Sequence, residues 1–415
     1  MKLKALNGFK DTLPGETPLW RRLEDLARDV FARFTFSEIR LPILEKTDLF
    51  ARSIGAATDI VEKEMYTFPE KQITMRPEAT ASLLRAYIEH GLYVQKPVQR
   101  LFTIGPMFRH ERPQQGRLRQ FHQMDAEILG SANPRVDAEL MAMGAMLLSE
   151  LGLTVSLELN SLGCPVCRPG FREGLLVFLA SRQEALCDDC RRRMHTNPLR
   201  VLDCKNPACR GIVEDAPSIQ DHLCPDCRTH FVAVQDGLDQ LGIVYSLNRF
   251  MVRGLDYYCR TTFEFITADL GSQSAVCAGG RYDGLVEELG GPKTPGIGFA
   301  MGMERLVLLL QKQQQPAAGA EVDLFIAGLG EAASRLCFSL MHRLRQAGAR
   351  VMMDPDGRSL KSQMKQADKA FARFVLILGD AELERNTGML RDMTTQEQQE
   401  VSLGDTRMLL DAIAA

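Results

Sequence analysis

Apolar residues recur at spacings of three and four between Thr17 and Phe34, with Leu19, Leu23, Leu26, Val30 and Phe34 on one face, which predicts an amphipathic helix. A strand is expected next, over Phe36–Leu41, closed by Pro42. Between Val98 and Gly130 two strand-like runs flank the charged segment Arg112–Arg119, the pattern of a hairpin. Alternation in the second run puts Phe121, Gln123, Asp125 and Glu127 on one face and His122, Met124, Ala126 and Ile128 on the other. The first run aligns Arg109 with Glu111. Over Cys164–Asp236 the pattern changes to thiol pairs, an Arg191-Arg192-Arg193 run and few strand signals, so this stretch reads as an insertion. Strand signals return at Thr261–Ile266 and Gly296–Met301. Gln311–Ala320 (QKQQQPAAGA) reads as a linker. Beyond it, strands at Val322–Ala327 and Phe374–Leu378 and a helix at Ala332–Gln346 predict a small α/β domain over 321–415.

At 415 residues the chain has room for roughly two to four domains of ~100–200 residues. Its 45% apolar and 25% charged residues are those of a globular protein. No apolar run approaches the ~20 residues that span a bilayer, and Met1–Gly15 lacks the apolar core of a signal peptide, so a cytoplasmic location without membrane contact is expected. The formal net charge of −3 argues mildly against a purely electrostatic RNA coat, while leaving room for local basic loops.

The hairpin face combines an arginine, carboxylates, an amide and an aromatic ring, beside a loop carrying Arg112, Arg117 and Arg119. That combination suits an anionic ligand such as a nucleotide; the plainer reading is a solvent-facing hairpin with surface ion pairs. In GIGFAMGMERLVLLL (296–310), alternate glycines Gly296 and Gly298 would let a flat ligand approach the strand. Glu304 suits the first turn of the following helix, whereas Arg305 opposes the helix dipole and needs a partner, for which a phosphate or a stacked base would serve. A buried strand–helix unit with a snorkelling arginine is the alternative. RGLDYY (253–258) and GGRYDG (279–284) set arginine, aspartate and tyrosine among apolar neighbours, where a polar ligand or a satisfied structural network would serve equally.

Together these segments resemble the histidyl-tRNA synthetase family, and the likeness runs from LNGFKD near residue 6 through SLKSQMKQAD (359–368) and ILGDAE (377–382). The hairpin is similar to the second motif of class II synthetases, the strand before Arg305 to the third, and Phe36–Phe50 to the first, which implies a homodimer interface. RGLDYY and AGGRYDG (278–284) are the histidine-specific pair. The sequence departs from the family pattern at Ala79 in RPEAT (76–80), where glycine is usual, at Cys259 and at Asn7.

The resemblance implies an α+β catalytic domain with an antiparallel sheet (1–163 and 243–312), a mainly helical cysteine-rich insertion (164–242), a linker (313–320) and a C-terminal α/β anticodon-binding domain (321–415). It implies ATP-dependent activation of L-histidine and transfer to histidine tRNA. Glu78, Thr80, Gln123 and Tyr258 would hold the α-amino group, with Glu127 and Tyr282 on the imidazole and Leu255 and Tyr257 completing the pocket. Arg109, Glu111, Arg117, Phe121 and Arg305 would bind ATP, which arrives with Mg2+. Arg253 would face Arg109 across the α-phosphate as the principal catalytic group, and Arg112 and Gln114 would meet the tRNA acceptor end. His122, on the apolar strand face, reads as a core histidine, while His110 is open. In the C-terminal domain Arg358, Lys361, Lys365 and Lys369 form a basic stripe, for which a solvated helix face is the alternative.

Eight of eleven cysteines fall in close pairs: Cys164/Cys167, Cys187/Cys190, Cys204/Cys209 and Cys224/Cys227. They are enough for two structural zinc sites of four thiolates each, most simply by sequential pairing of the first pair with the second and the third with the fourth. Reduced buried thiols are the alternative. Two other functions stay open: a non-catalytic, synthetase-like regulatory subunit of histidine biosynthesis, and a zinc-dependent RNA-binding protein.

Overall fold

The computed structural model describes residues 3–54, 58, 60–204, 206–253, 255, 257–270, 275–313 and 322–414. Of the expected linker Gln311–Ala320, Gln311 and Lys312 instead end helix Met303–Lys312, and 314–320 lie outside the described residues, as do Gly254 and Asp256 of RGLDYY. Two compact units divide the chain, residues 1–315 and 316–415.

The first unit is built on an eight-stranded sheet ordered Ser37–Glu38, Gln99–Phe108, Gln120–Leu129, Gly296–Gly302, Ala275–Arg281, Cys259–Ile266, Ser156–Ser161 and Tyr245–Leu247. Pairing is parallel only at the two edges and antiparallel between them. One face is dry. Met124, Ala126, Ile128, Phe263, Phe265, Ile297, Phe299 and Met301 pack there against helices Thr17–Arg33, Pro134–Glu150 and Met303–Lys312. Each large apolar side chain so buried contributes roughly 1.5–3 kcal/mol, and a one-residue slip would turn the whole set to the opposite face. That opposite face is the polar one predicted from the hairpin alternation.

The first helix begins with Pro18 in its opening turn and buries Leu23, Ala27, Val30 and Phe31, a stripe rotated slightly from the one predicted. The strand expected over Phe36–Leu41 is reduced to Ser37–Glu38. The Leu41 carbonyl instead accepts from Arg76 Nη1 (3.1 Å), and the chain turns away into a small three-stranded sheet at Leu44–Lys46.

The described residues of 164–242 carry only helices and turns, with their own core of Phe171, Leu175, Leu179, Met194, Val201 and the buried thiols of Cys167, Cys190, Cys209 and Cys227. A buried network ties them to the sheet. Asp137 accepts from Thr261 Oγ1 (2.7 Å) and from Arg281 Nε (3.2 Å), and His230 Nε2 of the insertion's last helix lies 2.9 Å from it. Burial would raise the Asp137 carboxyl, but the hydrogen bond from His230 and the Arg281 guanidinium hold it below its ordinary value.

The second unit is a five-stranded sheet ordered Val351–Met353, Val322–Gly328, Ala372–Leu378, Thr387–Asp392 and Gln398–Ser402, parallel across the first three strands. Helix Leu360–Lys369 buries Gln363 and Ala367 and leaves Lys361, Lys365 and Lys369 exposed as one stripe.

Candidate active site

The polar sheet face floors a cleft of about 1060 Å³ lined by Glu78, Thr80, Arg109, Glu111, Arg117, Phe121, Gln123, Glu127, Arg253, Leu255, Tyr257, Tyr258, Tyr282 and Arg305. Every residue expected to meet histidine or ATP is brought to this one place. Arg112 and Gln114 are not in its lining; both are exposed on the hairpin loop, where Gln114 and Arg117 bridge a turn at Gly116.

At the deep end Glu127 accepts from Tyr282 Oη and from Thr80 Oγ1 (2.7 Å). Its carboxyl is pushed up to about 8 by burial, against those two hydrogen bonds and with help from nearby Glu78. Glu78 accepts the backbone N–H groups of Thr80 (2.8 Å) and Ala81 (2.9 Å), so it also caps helix Thr80–Glu89, whose preceding residue Ala79 offers no side-chain cap. Burial raises Glu78 too, and pushes Asp125 well up, aided by the charges of Glu127 and Glu78. The Tyr257 and Tyr258 rings meet at a tilt with centres 4.6 Å apart, and Tyr257 meets Tyr282 edge-on at 5.8 Å.

The glycines of the third motif act differently from the expectation. A side chain at Gly298 would overlap the Glu127 carboxylate, and one at Gly296 would overlap the Tyr282 ring. They open space for pocket side chains rather than for the ligand. Gly280 does the same for Tyr258, whose ring a Cβ would meet at 2.9 Å.

The outer half of the cleft is cationic. Arg109 Nε donates to the Pro77 carbonyl (2.7 Å) while its guanidinium lies 5.2 Å from the Phe121 ring centre. Glu111 sits between Arg117 (2.9 Å) and Arg109 (3.9 Å). Arg305 donates to the Ala275 carbonyl, and burial and the Arg117 guanidinium push its pKa down. Arg253 is ion-paired to Glu264 and faces the Tyr258 ring at 5.4 Å. Among the described residues, Gln123 Oε1, Asp125 Oδ2 and Arg253 Nε are buried in this cleft without a hydrogen-bond partner. Orphaned polar atoms of both signs are what a zwitterionic or phosphorylated ligand would satisfy.

His122 lies outside the lining. Its ring pairs with Glu304 (Nδ1 to Oε1, 3.0 Å) and meets Trp20 edge-on, and its side chain is 32% exposed, so it is satisfied without being a core residue. His110 rests edge-on against Tyr66.

The cysteines form two quartets, Cys164/Cys167/Cys224/Cys227 and Cys187/Cys190/Cys204/Cys209, with all thiols of a quartet within 4.8 Å of one another. This corrects the sequential pairing: the second quartet is nested inside the first. The reason is helical. Cys224 immediately precedes helix Pro225–Gln240, and its N–H donates to Cys167 Sγ (3.2 Å), just as the Cys187 N–H donates to Cys209 Sγ (3.2 Å). Burial would raise the Cys164 thiol, but the N–H groups of Cys167 and Val166 bring it down to about 7; the Cys190 N–H foremost lowers Cys187. Each quartet thus has one thiol that ionises more readily than an ordinary cysteine, as a metal ligand must.

Sequence reasoning missed three features. Asp125 was placed on the polar face without a role. Glu264 was legible as a carboxylate alternating with Phe263 and Phe265 in an otherwise apolar strand. Arg200, Asp203, Cys204 and Arg210 of the insertion also line the cleft, and no local pattern signals that.

Residues 66–314 match the model of the tRNA synthetase class II core domain (G, H, P, S and T), and 323–412 that of the anticodon binding domain. The chain is 66% identical to the histidine–tRNA ligase of Desulfotalea psychrophila, covering 97% of this chain and 94% of that protein. It is 55% identical to the histidine–tRNA ligase of Trichlorobacter lovleyi, covering 97% and 96%. Among solved structures, apo histidyl-tRNA synthetase from S. aureus superposes with a TM-score of 0.82 at 36% identity over the whole of both chains.

Proposed function

This chain belongs to the histidine–tRNA ligase family, and from that premise we propose how its cleft divides the labour of activating histidine and charging tRNA. The reaction is ATP-dependent: the carboxylate of histidine attacks the α-phosphorus, pyrophosphate leaves, and a ribose hydroxyl of the tRNA 3′ end then displaces AMP from the adenylate. A non-catalytic regulatory subunit is not favoured, since Arg109, Arg253 and Arg305 all stand in the cleft and relatives at such identity are ligases.

The observation that carries the assignment is the adjacency of two opposite environments. A deep carboxylate–tyrosine pocket opens directly onto an arginine-rich outer cleft. Glu127 and Tyr282 receive the imidazole, where hydrogen-bonding groups tuned to two ring nitrogens reject apolar analogues. Glu78, Gln123 and Tyr258 take the α-ammonium, with Thr80 shared between the two subsites through its bond to Glu127. Leu255 and Tyr257 close the pocket. Phe121 and Arg305 sandwich adenine, Arg117 grips the outer phosphates, and Arg109 and Arg253 flank the α-phosphate. Mg2+ enters with the nucleotide: Glu111 and Glu264 are the oxygen donors among the arginines that fit it, and the ion would offset phosphate charge. The remaining work falls to the side chains, which align carboxylate and phosphorus and neutralise charge as the bond forms. Pyrophosphate exchange that depends on histidine, and on no other amino acid, tests the scheme; exchange indifferent to histidine would refute it.

Arg112 and Gln114, on the exposed loop, are assigned to the acceptor end of the tRNA. The motif-one segment Phe36–Phe50, with Ile43 and Leu44 exposed, is assigned to a homodimer contact. No helix among the described residues is long and apolar enough to cross a membrane, and we place the reaction in the cytoplasm with the tRNA it charges.

The basic stripe of the second unit is assigned to the anticodon arm. Removing residues 316–415 should leave pyrophosphate exchange within a few-fold of the full chain. Charging of whole tRNA should fall by about 10²-fold or more, because the second contact of a tethered pair is lost. A short acceptor-stem hairpin should lose far less; equal losses for both RNAs would refute the assignment.

The two quartets are assigned to structural zinc, one ion each. Sulfur-only, four-fold donor sets without an open position suit that ion and leave no place for metal catalysis. Elemental analysis of protein purified without chelator should give close to two zinc per chain, and a value near zero in active protein would overturn it.

A further inference from the structure

The insertion does more than roof the cleft. Its inner surface borders a small open pocket of about 40 Å³ beside the loop that carries Arg253 and Tyr258, walled by Arg168, Asn197, Leu199 and Arg200 on one side and by Val252, Arg253, Leu255 and Tyr258 on the other. Phe250 and Val252, which lead into that loop, pack on the insertion's own core. Among the described residues, hydrogen bonds from the insertion reach both Arg253 and Tyr258. Arg200 Nη1 donates to the Arg253 carbonyl (3.4 Å), and the Arg168 guanidinium donates to the Tyr258 carbonyl.

Each of these arginines lies in the chain beside a different cysteine quartet. Arg168 directly follows Cys167 and opens helix Arg168–Ala180, so the outer quartet fixes where it starts. Arg200 lies in the short turn Pro198–Val201, between Cys190 and Cys204 of the inner quartet. Pro198 and Val201 are buried, so the turn follows whatever fixes its ends. Cys204 itself reaches the cleft wall.

We propose that the two cysteine quartets, each closed on a metal ion, act as separate positioning devices for the active site: the inner holds Arg253 through Arg200, and the outer holds Tyr258 through Arg168. This rests on the zinc assignment above and adds that the ions matter to different steps. Arg253 acts on charge that develops as phosphorus is attacked, so its misplacement slows turnover with little effect on binding. Tyr258 holds the amino acid before reaction, so its misplacement weakens histidine binding. Loss of supporting contacts around a reacting group typically costs 10- to 100-fold.

The test uses the full chain and three readouts: zinc per chain, histidine-dependent pyrophosphate exchange resolved into kcat and KM, and amide hydrogen exchange of peptides covering residues 250–260. Cys204→Ser should carry one zinc fewer and lose kcat roughly tenfold with KM for histidine nearly unchanged. Arg200→Ala should keep both zinc ions and show the same kinetic loss, partly restored in Arg200→Lys. Arg168→Ala should keep both ions and raise KM for histidine roughly tenfold. All three should exchange faster at 250–260. Loss of one zinc in Cys204→Ser with kinetics and exchange as in wild type would overturn the coupling while leaving the zinc assignment standing. Wild-type protein without zinc would overturn the metal's part. Arg200→Ala, which leaves every thiol in place, decides the arginine's part even if Cys204→Ser does not fold, and wild-type kinetics there would overturn it.

Discussion

Arg253→Ala should fold normally and lose histidine-dependent pyrophosphate exchange by roughly 10²–10³-fold, ~3–4 kcal/mol of transition-state stabilisation. Its guanidinium is deep in the cleft, 15% exposed, with one face toward Glu264 and its Nε without a partner among the described residues. Burial works against the charge, yet Glu264 foremost keeps its pKa above the ordinary value, so the group is cationic at every working pH. A fixed cation is already in place when charge builds on the phosphoryl oxygens, and no solvent has to reorganise. The fold tolerates the loss because Glu264, the carboxylate left behind, is 25% exposed and can be hydrated. Arg253→Lys should recover only part of the rate, since a point charge cannot serve Glu264 and phosphate together as a planar fork does. The check is exchange kinetics alongside a thermal melt. A folded Arg253→Ala protein within a few-fold of wild type would remove this residue from the chemistry.

The second large effect separates binding from stability. Glu127→Gln should weaken histidine by about 10²-fold, because a buried carboxylate that accepts from a ring N–H is replaced by an amide that also presents an unpaired donor. ATP affinity should be nearly kept, since the phosphate end of the cleft is untouched. The empty protein should respond in the opposite direction. In wild type the folded-state value of about 8 lies above the ordinary 4.5 of a glutamate. The unfolded chain therefore gives up this proton first. Glu127's contribution to stability is whole below about pH 4.5, is lost as pH rises toward 8, and is flat beyond. Glutamine cannot ionise, so the melting temperature of the variant relative to wild type should climb between pH 5 and 8. A difference that stays constant or falls across that window would show that burial does not strain this carboxylate.

Much of this site was legible in the sequence because its floor is a β-hairpin, where alternation fixes which side chains share a face. Phe121, Gln123 and Glu127 follow from period two alone, and Glu264 would have followed had the same rule been applied to TTFEFI. What alternation cannot supply is contact between segments far apart in the chain. The match of Gly298 to Glu127 is a cross-strand fact, visible only once Gly298 is registered opposite Glu127. The Asp137–Arg281–His230 network joins three elements, and although Arg281 stands in AGGRYDG, nothing around Asp137 or His230 signals the partnership. The cysteines illustrate the limit most directly. Spacing singled out the pairs as candidate ligands, but which pair meets which is decided by helices folding back on one another, and sequence order pointed to the wrong partners.

Nesting also has a consequence for the order in which the molecule is made. The inner quartet closes over a short span, with Cys187 and Cys204 only 17 residues apart, whereas Cys164 and Cys224 of the outer one are 60 apart. Shorter closures cost less chain entropy and form sooner. If metal closes the quartets, a growing polypeptide would complete the inner one first and the outer one soon after, while the strands at 259–266, 275–281 and 296–302 have still to emerge. Until they do, the hairpin strand Gln120–Leu129 waits with an unpaired edge. The insertion is finished before the sheet it interrupts, and the last strands are laid down beside a wall that already stands.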